Sequence, residues 1–126
     1  TRIGVHPGMG ATWTLPRLVG PAQAAELLYT SRLVEGKEAV ELGLANRALP
    51  REEVLPAARA VATEIGGNAP LAVRAVKRAL ARSETASLED QLQFEASEQA
   101  RHFESRDVRE GLAAIRERRS PSFEGI

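Results

Sequence analysis

Along the second half of the chain, apolar residues return at helical spacing. Val54, Ala58, Val61 and Ile65 recur at intervals of four, three and four, the spacing of one buried helical face, and Gly66 and Gly67 predict the stop. Asn68 is a natural N-cap for the next helix, with Pro70 in its first turn. Val73, Val76 and Leu80 line one side of that helix, and Arg74, Lys77, Arg78 and Arg82 the other. Ser87 followed by Asp90 resembles a capping box with Asp in place of Glu, opening a helix whose stripe runs through Leu88, Leu92 and Phe103. Ser105 caps a last helix, with Asp107 in its first turn, where the helix dipole favours an anion. Val108, Leu112 and Ile115 form the side expected to be buried, and the basic run RERRSPSFEG ends the chain's helical part.

The first half is less regular. Gly20 and Pro21 predict a helix start, with Ala24, Leu27 and Leu28 as its apolar stripe and an end near Ser31. After Leu33, Val34 and Gly36, the segment KEAVELGL reads as a short helix with Ala39 and Leu42 on one side. Gly43 is placed to cap it in the left-handed conformation, and Leu44 folds back as its hydrophobic partner. Ala45 to Leu49, ended by Pro50, reads equally as a short strand or a connector. Thr1 to Gly20 carries four of the ten glycines and reads as a strand end, a tight glycine turn and a helix start. The fold class predicted is mostly α with a short β component.

Composition adds bounds. A chain of 126 residues with 27% charged and 43% apolar residues fits one ordinary globular domain. With aromatics at 4%, the core is expected to be built from Ala, Leu and Val. The 17 basic and 17 acidic side chains cancel, which argues against nucleic acid or an anionic membrane as partner. No cysteine is present, which excludes disulfides and thiol nucleophiles and fits a cytoplasmic location. No apolar run approaches the roughly 20 residues that span a bilayer. The chain opens on Thr1, almost on its most unusual turn, so an upstream part is expected to pack against Ile3 and Val5.

Candidate chemistry is sparse. His6 and His102 have no partner at metal-ligand spacing, and no G-x-S-x-G elbow occurs. Most carboxylates belong to solvated helix faces. Glu95, in line with Leu88 and Leu92, is expected to be partly buried, and such a group is more often a structural hydrogen-bonded one than a general acid. The glycine pattern G-x-x-P-G-x-G matches neither the phosphate-cradling loop nor the dinucleotide fingerprint.

Four blocks together resemble the crotonase superfamily of enoyl-CoA hydratases and isomerases: GVHPGMGAT, LPRLVG, EAVELGLANR and DVREGLAAIRERRSPSFEG. They occur in family order, and the chain looks like the C-terminal half of such a protein, the end of a β-β-α spiral followed by a helical oligomerisation region. The resemblance implies that residues 1–67 end the crotonase core and that residues 68–126 form the oligomerisation and coenzyme A contact region. It implies acyl-CoA chemistry of fatty acid metabolism, in which an oxyanion hole stabilises the enolate of a thioester and paired glutamates handle water. The oxyanion donors and the first glutamate belong to the family's N-terminal half, and the second glutamate would precede Gly4 by about four residues, so no catalytic residue is assigned here.

What the resemblance does assign is a substrate-pocket wall at Pro7, Gly8, Met9, Gly10 and Trp13, and coenzyme A contacts at Phe103 and Arg118. It implies no cofactor, since the coenzyme A thioester is the substrate, and no metal. The partners implied are the missing N-terminal half of the fold and further copies in a trimer or hexamer. The leading expectation is enoyl-CoA hydration, with the chain alone inactive. The alternatives are an enoyl-CoA isomerase and a non-catalytic helical interaction module derived from the crotonase tail. Ala11, Trp13, Gln99 and Ile115 depart from the family's usual Gly, polar, aromatic and Phe residues.

Overall fold

Short helices joined by tight caps account for most of the chain. The computed structural model describes all residues, Thr1–Ile126. The helices are α1 (Ala11–Val19), α2 (Pro21–Thr30), α3 (Gly36–Glu41), α4 (Arg51–Gly66), α5 (Pro70–Ser83), α6 (Leu88–Glu104) and α7 (Arg106–Glu117). No strand forms, so the mostly α expectation stands without its β component. Ala45 to Leu49 is a connector, and Thr1 to Gly10 consists of turns and irregular backbone. The reason is physical: a strand needs a neighbouring backbone to satisfy its N-H and C=O groups, and this chain supplies none.

The chain divides into two compact units, Thr1–Val54 and Leu55–Ile126, and the division falls within α4. In the first unit α1 packs on α2, and Ala24 and Leu27 are the buried side chains of α2. Thr1 Oγ1 donates to Leu28 O at 3.0 Å, which sets the start of the chain against the end of α2. Arg32 pairs with Glu26 and Glu38, tying α2 to α3. Helix α3 closes as expected: Gly43 has φ 78, its N-H donates to Val40 O at 3.0 Å, and Leu44 N-H donates to Ala39 O at 2.8 Å.

In the second unit α5 packs on α6, and α6 on α7. Ser87 Oγ accepts from Asp90 N-H at 3.1 Å and Ser105 Oγ from Val108 N-H at 3.2 Å, so both serine caps form as the sequence predicts. Asn68 does not cap α5. Because Pro70 takes the first helical position, the N-cap is Ala69, and the Asn68 amide turns back to Glu64 O at 3.1 Å, closing the end of α4 instead.

The expected apolar stripes are mostly open to solvent. Only Ala24, Leu27, Ala75 and Ala114 are buried apolar residues, and α4 buries nothing. Val54 and Ile65 of α4, Val76 and Leu80 of α5, Leu88, Leu92 and Phe103 of α6, and Leu112 and Ile115 of α7 are all exposed. Periodicity identifies a face that favours burial, but not the element that covers it. On α6 the carboxylate taken into the interior is that of Glu98, not Glu95, which is exposed. Residues of α6 in the α5 groove include Gln91, Phe94, Glu98 and His102, a helical face rotated away from the Leu88 and Leu92 stripe.

Candidate functional site

The five residues expected to form a pocket wall are brought together at the start of α1. Ala11 N-H donates to Gly8 O at 3.1 Å, and the two residues between are left-handed, Met9 at φ 57 and Gly10 at φ 78. Successive positive φ values define a mirror-type tight turn. Glycine suits its second position, whereas at Met9 the conformation carries a steric cost. Gly10 is also the N-cap of α1, and its carbonyl accepts from the N-H of Trp13 and of Thr14, both at 2.9 Å.

Trp13 therefore leaves the first turn of α1 beside the glycine turn. Its ring is covered by Arg17, one turn later, whose guanidinium carbon stands 3.8 Å from the ring centroid while Nη1 donates to Trp13 O at 2.9 Å. Pro7 is half-buried, and Gly8, Met9 and Gly10 are exposed. The arrangement offers exposed backbone at Gly8 and Gly10, the fully exposed Met9 side chain and a flat indole, but no acid or base pair. Arg17 has no place in the expected wall, although its i+4 spacing from Trp13 is the signal that could have found it.

Phe103 and Arg118 belong to the second unit, on different helices. Phe103 lies near the end of α6 and is exposed. Arg118 is the left-handed residue that ends α7, at φ 53 and ψ 41, and its side chain enters none of the ion pairs of its neighbours.

Those neighbours form a cluster that the sequence did not announce. Arg119 Nη2 donates to Glu110 Oε2 at 2.9 Å, its Nη1 to Glu110 Oε1 and its Nε to Glu117 Oε2. Ser122 N-H also donates to Glu110, at 2.8 Å. The Arg119 guanidinium first, and the Ser122 N-H second, pull the Glu110 carboxyl down to about 2. One turn earlier, buried Asp107 accepts the N-H groups of Glu124 and Gly125 at 2.8 and 2.9 Å. Asp107 was expected only to favour the helix dipole, and it also pins the tail. A cleft of about 240 Å³ beneath the tail is lined by Leu71, Ala72, Val108, Leu112 and Phe123, among others, and no helix is long and apolar enough to cross a membrane.

The family model for enoyl-CoA hydratase/isomerase matches residues 1–126, the whole chain. This chain belongs to the enoyl-CoA hydratase/isomerase family. It is 36% identical over 121 residues to crotonyl-CoA hydratase of Syntrophomonas wolfei, covering 96% of this chain and 46% of that protein. It is 42% identical over 129 residues to the human mitochondrial enoyl-CoA hydratase domain-containing protein 2, covering 99% of this chain and 44% of that one. Among solved structures, enoyl-CoA hydratase from Bacillus anthracis superposes with a TM-score of 0.92 at 35% identity, over 99% of this chain and 48% of that chain. The chain spans about half the length of the curated relatives it matches, and its helices correspond to the helical C-terminal part of the crotonase fold.

Proposed function

We propose that this chain forms the C-terminal wall of an acyl-CoA site in an enzyme that hydrates a 2-enoyl-CoA. The observation that carries this reading is the Gly8 to Ala11 turn feeding directly into α1 with Trp13 beside it, within a chain matched end to end by the family model. A turn flanked by Gly8 and Gly10, with the exposed Met9 side chain between them, and a flat indole suit an acyl thioester lying along them. Arg118 is the residue we assign to the coenzyme A phosphates, because it is exposed and unpaired where Arg119 is fully engaged. Phe103 is assigned to the same coenzyme, as an exposed aromatic face. The thioester is substrate, and the reading includes no further cofactor.

In this reading the oxyanion donors and glutamates are supplied by the other half of the fold, so the isolated chain turns over no substrate. Fixed N-H donors stabilise the enolate as its charge develops, and the paired carboxylates divide the proton transfers. Residues 1–67 end the core and residues 68–126 carry the coenzyme contact and the surface between copies, in a trimer or hexamer. A cytoplasmic location goes with the absence of cysteine. Hydrogen exchange with and without a saturating acyl-CoA tests the assignment: protection at Gly8 to Trp13 and at Arg118 is expected, and protection at neither removes it. Rapid hydration of a short enoyl-CoA by the isolated chain would overturn the division of labour.

A second reading, a non-catalytic interaction module, draws on the exposed apolar faces of α4, α6 and α7. It predicts stable self-association with no acyl-CoA effect on exchange.

A further inference from the structure

Two helices of this chain end in the same pattern of hydrogen bonds. At α3, Gly43 N-H donates to Val40 O and Leu44 N-H to Ala39 O; at α7, Arg118 N-H donates to Ile115 O at 3.3 Å and Arg119 N-H to Ala114 O at 3.1 Å. Each closure requires one left-handed residue. The first uses glycine, which adopts φ 78 without a Cβ clash; the second uses an arginine at φ 53. Such a conformation persists where its surroundings over-determine it.

The surroundings of Arg118 do so. Arg119 is anchored by all three of its guanidinium nitrogens, two of them on Glu110 and one on Glu117. Glu110 also takes the Ser122 N-H, so residues on the far side of Arg118 are fixed to the middle of α7. Asp107 fixes Glu124 and Gly125 to the first turn of the same helix. Arg118 is thus held between a helix end and a pinned tail, while its own guanidinium stays unpaired. Of two adjacent arginines, one is consumed as a brace and the other is presented.

We infer that Glu110 and Arg119 are positioning residues: together they lock Arg118 in its left-handed conformation and fix the direction in which its guanidinium meets the phosphates of coenzyme A. This inference rests on the assignment of Arg118 under Proposed function. A guanidinium leaving a fixed backbone loses less freedom on engaging a phosphate than one on a mobile end, so the gain is in coenzyme binding and not in the chemical step.

The test is a KM-against-kcat comparison in the assembled enzyme, with an acyl-CoA and with the matching acyl-pantetheine, which lacks the nucleotide phosphates. Arg118→Ala and Glu110→Gln are each expected to raise KM for the acyl-CoA about tenfold with kcat unchanged, the loss of one charge-assisted contact. KM for the pantetheine thioester should not move, and the double variant should be no worse than Arg118→Ala alone. An unchanged KM in Arg118→Ala overturns the coenzyme assignment itself. An effect in Arg118→Ala with none in Glu110→Gln, additive effects in the double variant, or equal losses with both thioesters overturns the positioning role. Arg119→Lys keeps the charge and loses the two-pronged fit to Glu110, and it carries the same expectations and reversals if Glu110→Gln does not fold.

Discussion

The Asp107 carboxylate and the Gly125 N-H lie 2.9 Å apart, which returns the end of the chain to the first turn of α7. Gly125 has φ 78, and a Cβ there would stand 3.3 Å from Pro70 Cβ. Gly125→Ala therefore meets both a disfavoured backbone and a tight neighbour, and it should loosen the tail by about 1–2 kcal/mol. Asp107→Ala leaves two inward N-H groups unpaired and should cost about 1–3 kcal/mol. Amide exchange at Glu124 and Gly125 measures both, with rates in α2 unchanged as the internal control.

Glu98 joins α6 to α5 through Arg78, at 2.6 Å, with Arg101 at 3.4 Å as a second cation. The Glu98 side chain is 12% exposed and that of Arg78 52%, so removing the arginine leaves a largely buried carboxylate while water partly substitutes. Arg78→Met should destabilise the second unit by about 1–2 kcal/mol, less than a fully buried pair would. The urea midpoint should fall with an unchanged slope.

The two matching helix ends predict opposite responses. Gly43→Ala places a Cβ on a residue at φ 78 and should cost about 1 kcal/mol. Arg118→Gly relieves a residue at φ 53 and should stabilise by up to about 1 kcal/mol, offset in part by the freedom glycine gains when unfolded. Thermal unfolding of both variants, each against the parent chain, measures the two signs. A drop in melting temperature for Arg118→Gly would mean that the arginine side chain has a stabilising partner.

What could be read from the sequence followed the range of the interaction. The Ser87 and Ser105 caps and the Gly43 closure each depend on residues within a few positions, and they formed as patterned. Asn68 failed by one position, because Pro70 fixes the helix start and makes Ala69 the cap. The exposed faces of α4, α6 and α7 are visible as stripes, yet a stripe does not say which element lies against it. Glu98 and the Asp107 and Glu110 contacts to the tail were not legible for the same reason. They depend on partners 12 to 20 residues away, at Ser122, Gly125 and Arg78. Within the candidate wall the turn was legible from its glycines, whereas the left-handed Met9 and Arg118 were not, since neither residue type signals positive φ.

Acid should undo the Glu110 part of the tail contact in a defined window. Its carboxyl lies at about 2 in the fold against an ordinary 4.5, so between those values the folded chain binds fewer protons than the unfolded one. The contribution is complete above about pH 4.5 and is lost as pH falls toward 2. Exchange at the Ser122 amide should accelerate, relative to its intrinsic rate, only within that window. Glu110→Gln should remove the acid step and show the loosened tail at neutral pH.

Trp13 is the chain's single tryptophan and sits 47% exposed beside the glycine turn, which makes it a reporter of the proposed wall. With Arg17 stacked on its ring at 3.8 Å, an acyl chain that reaches the wall must displace water from the remaining indole surface. Fluorotryptophan resonances of the assembled enzyme, with the Trp13 line assigned by its loss in Trp13→Phe, should shift on saturation with an acyl-CoA. The same line should shift without ligand in Arg17→Ala, which uncovers the ring. A coenzyme A molecule without its acyl group should leave the line in place, because the contact proposed for Trp13 is with the acyl end. A shift with coenzyme A alone would place the nucleotide at Trp13, and no shift with any thioester would remove Pro7 to Trp13 from the pocket.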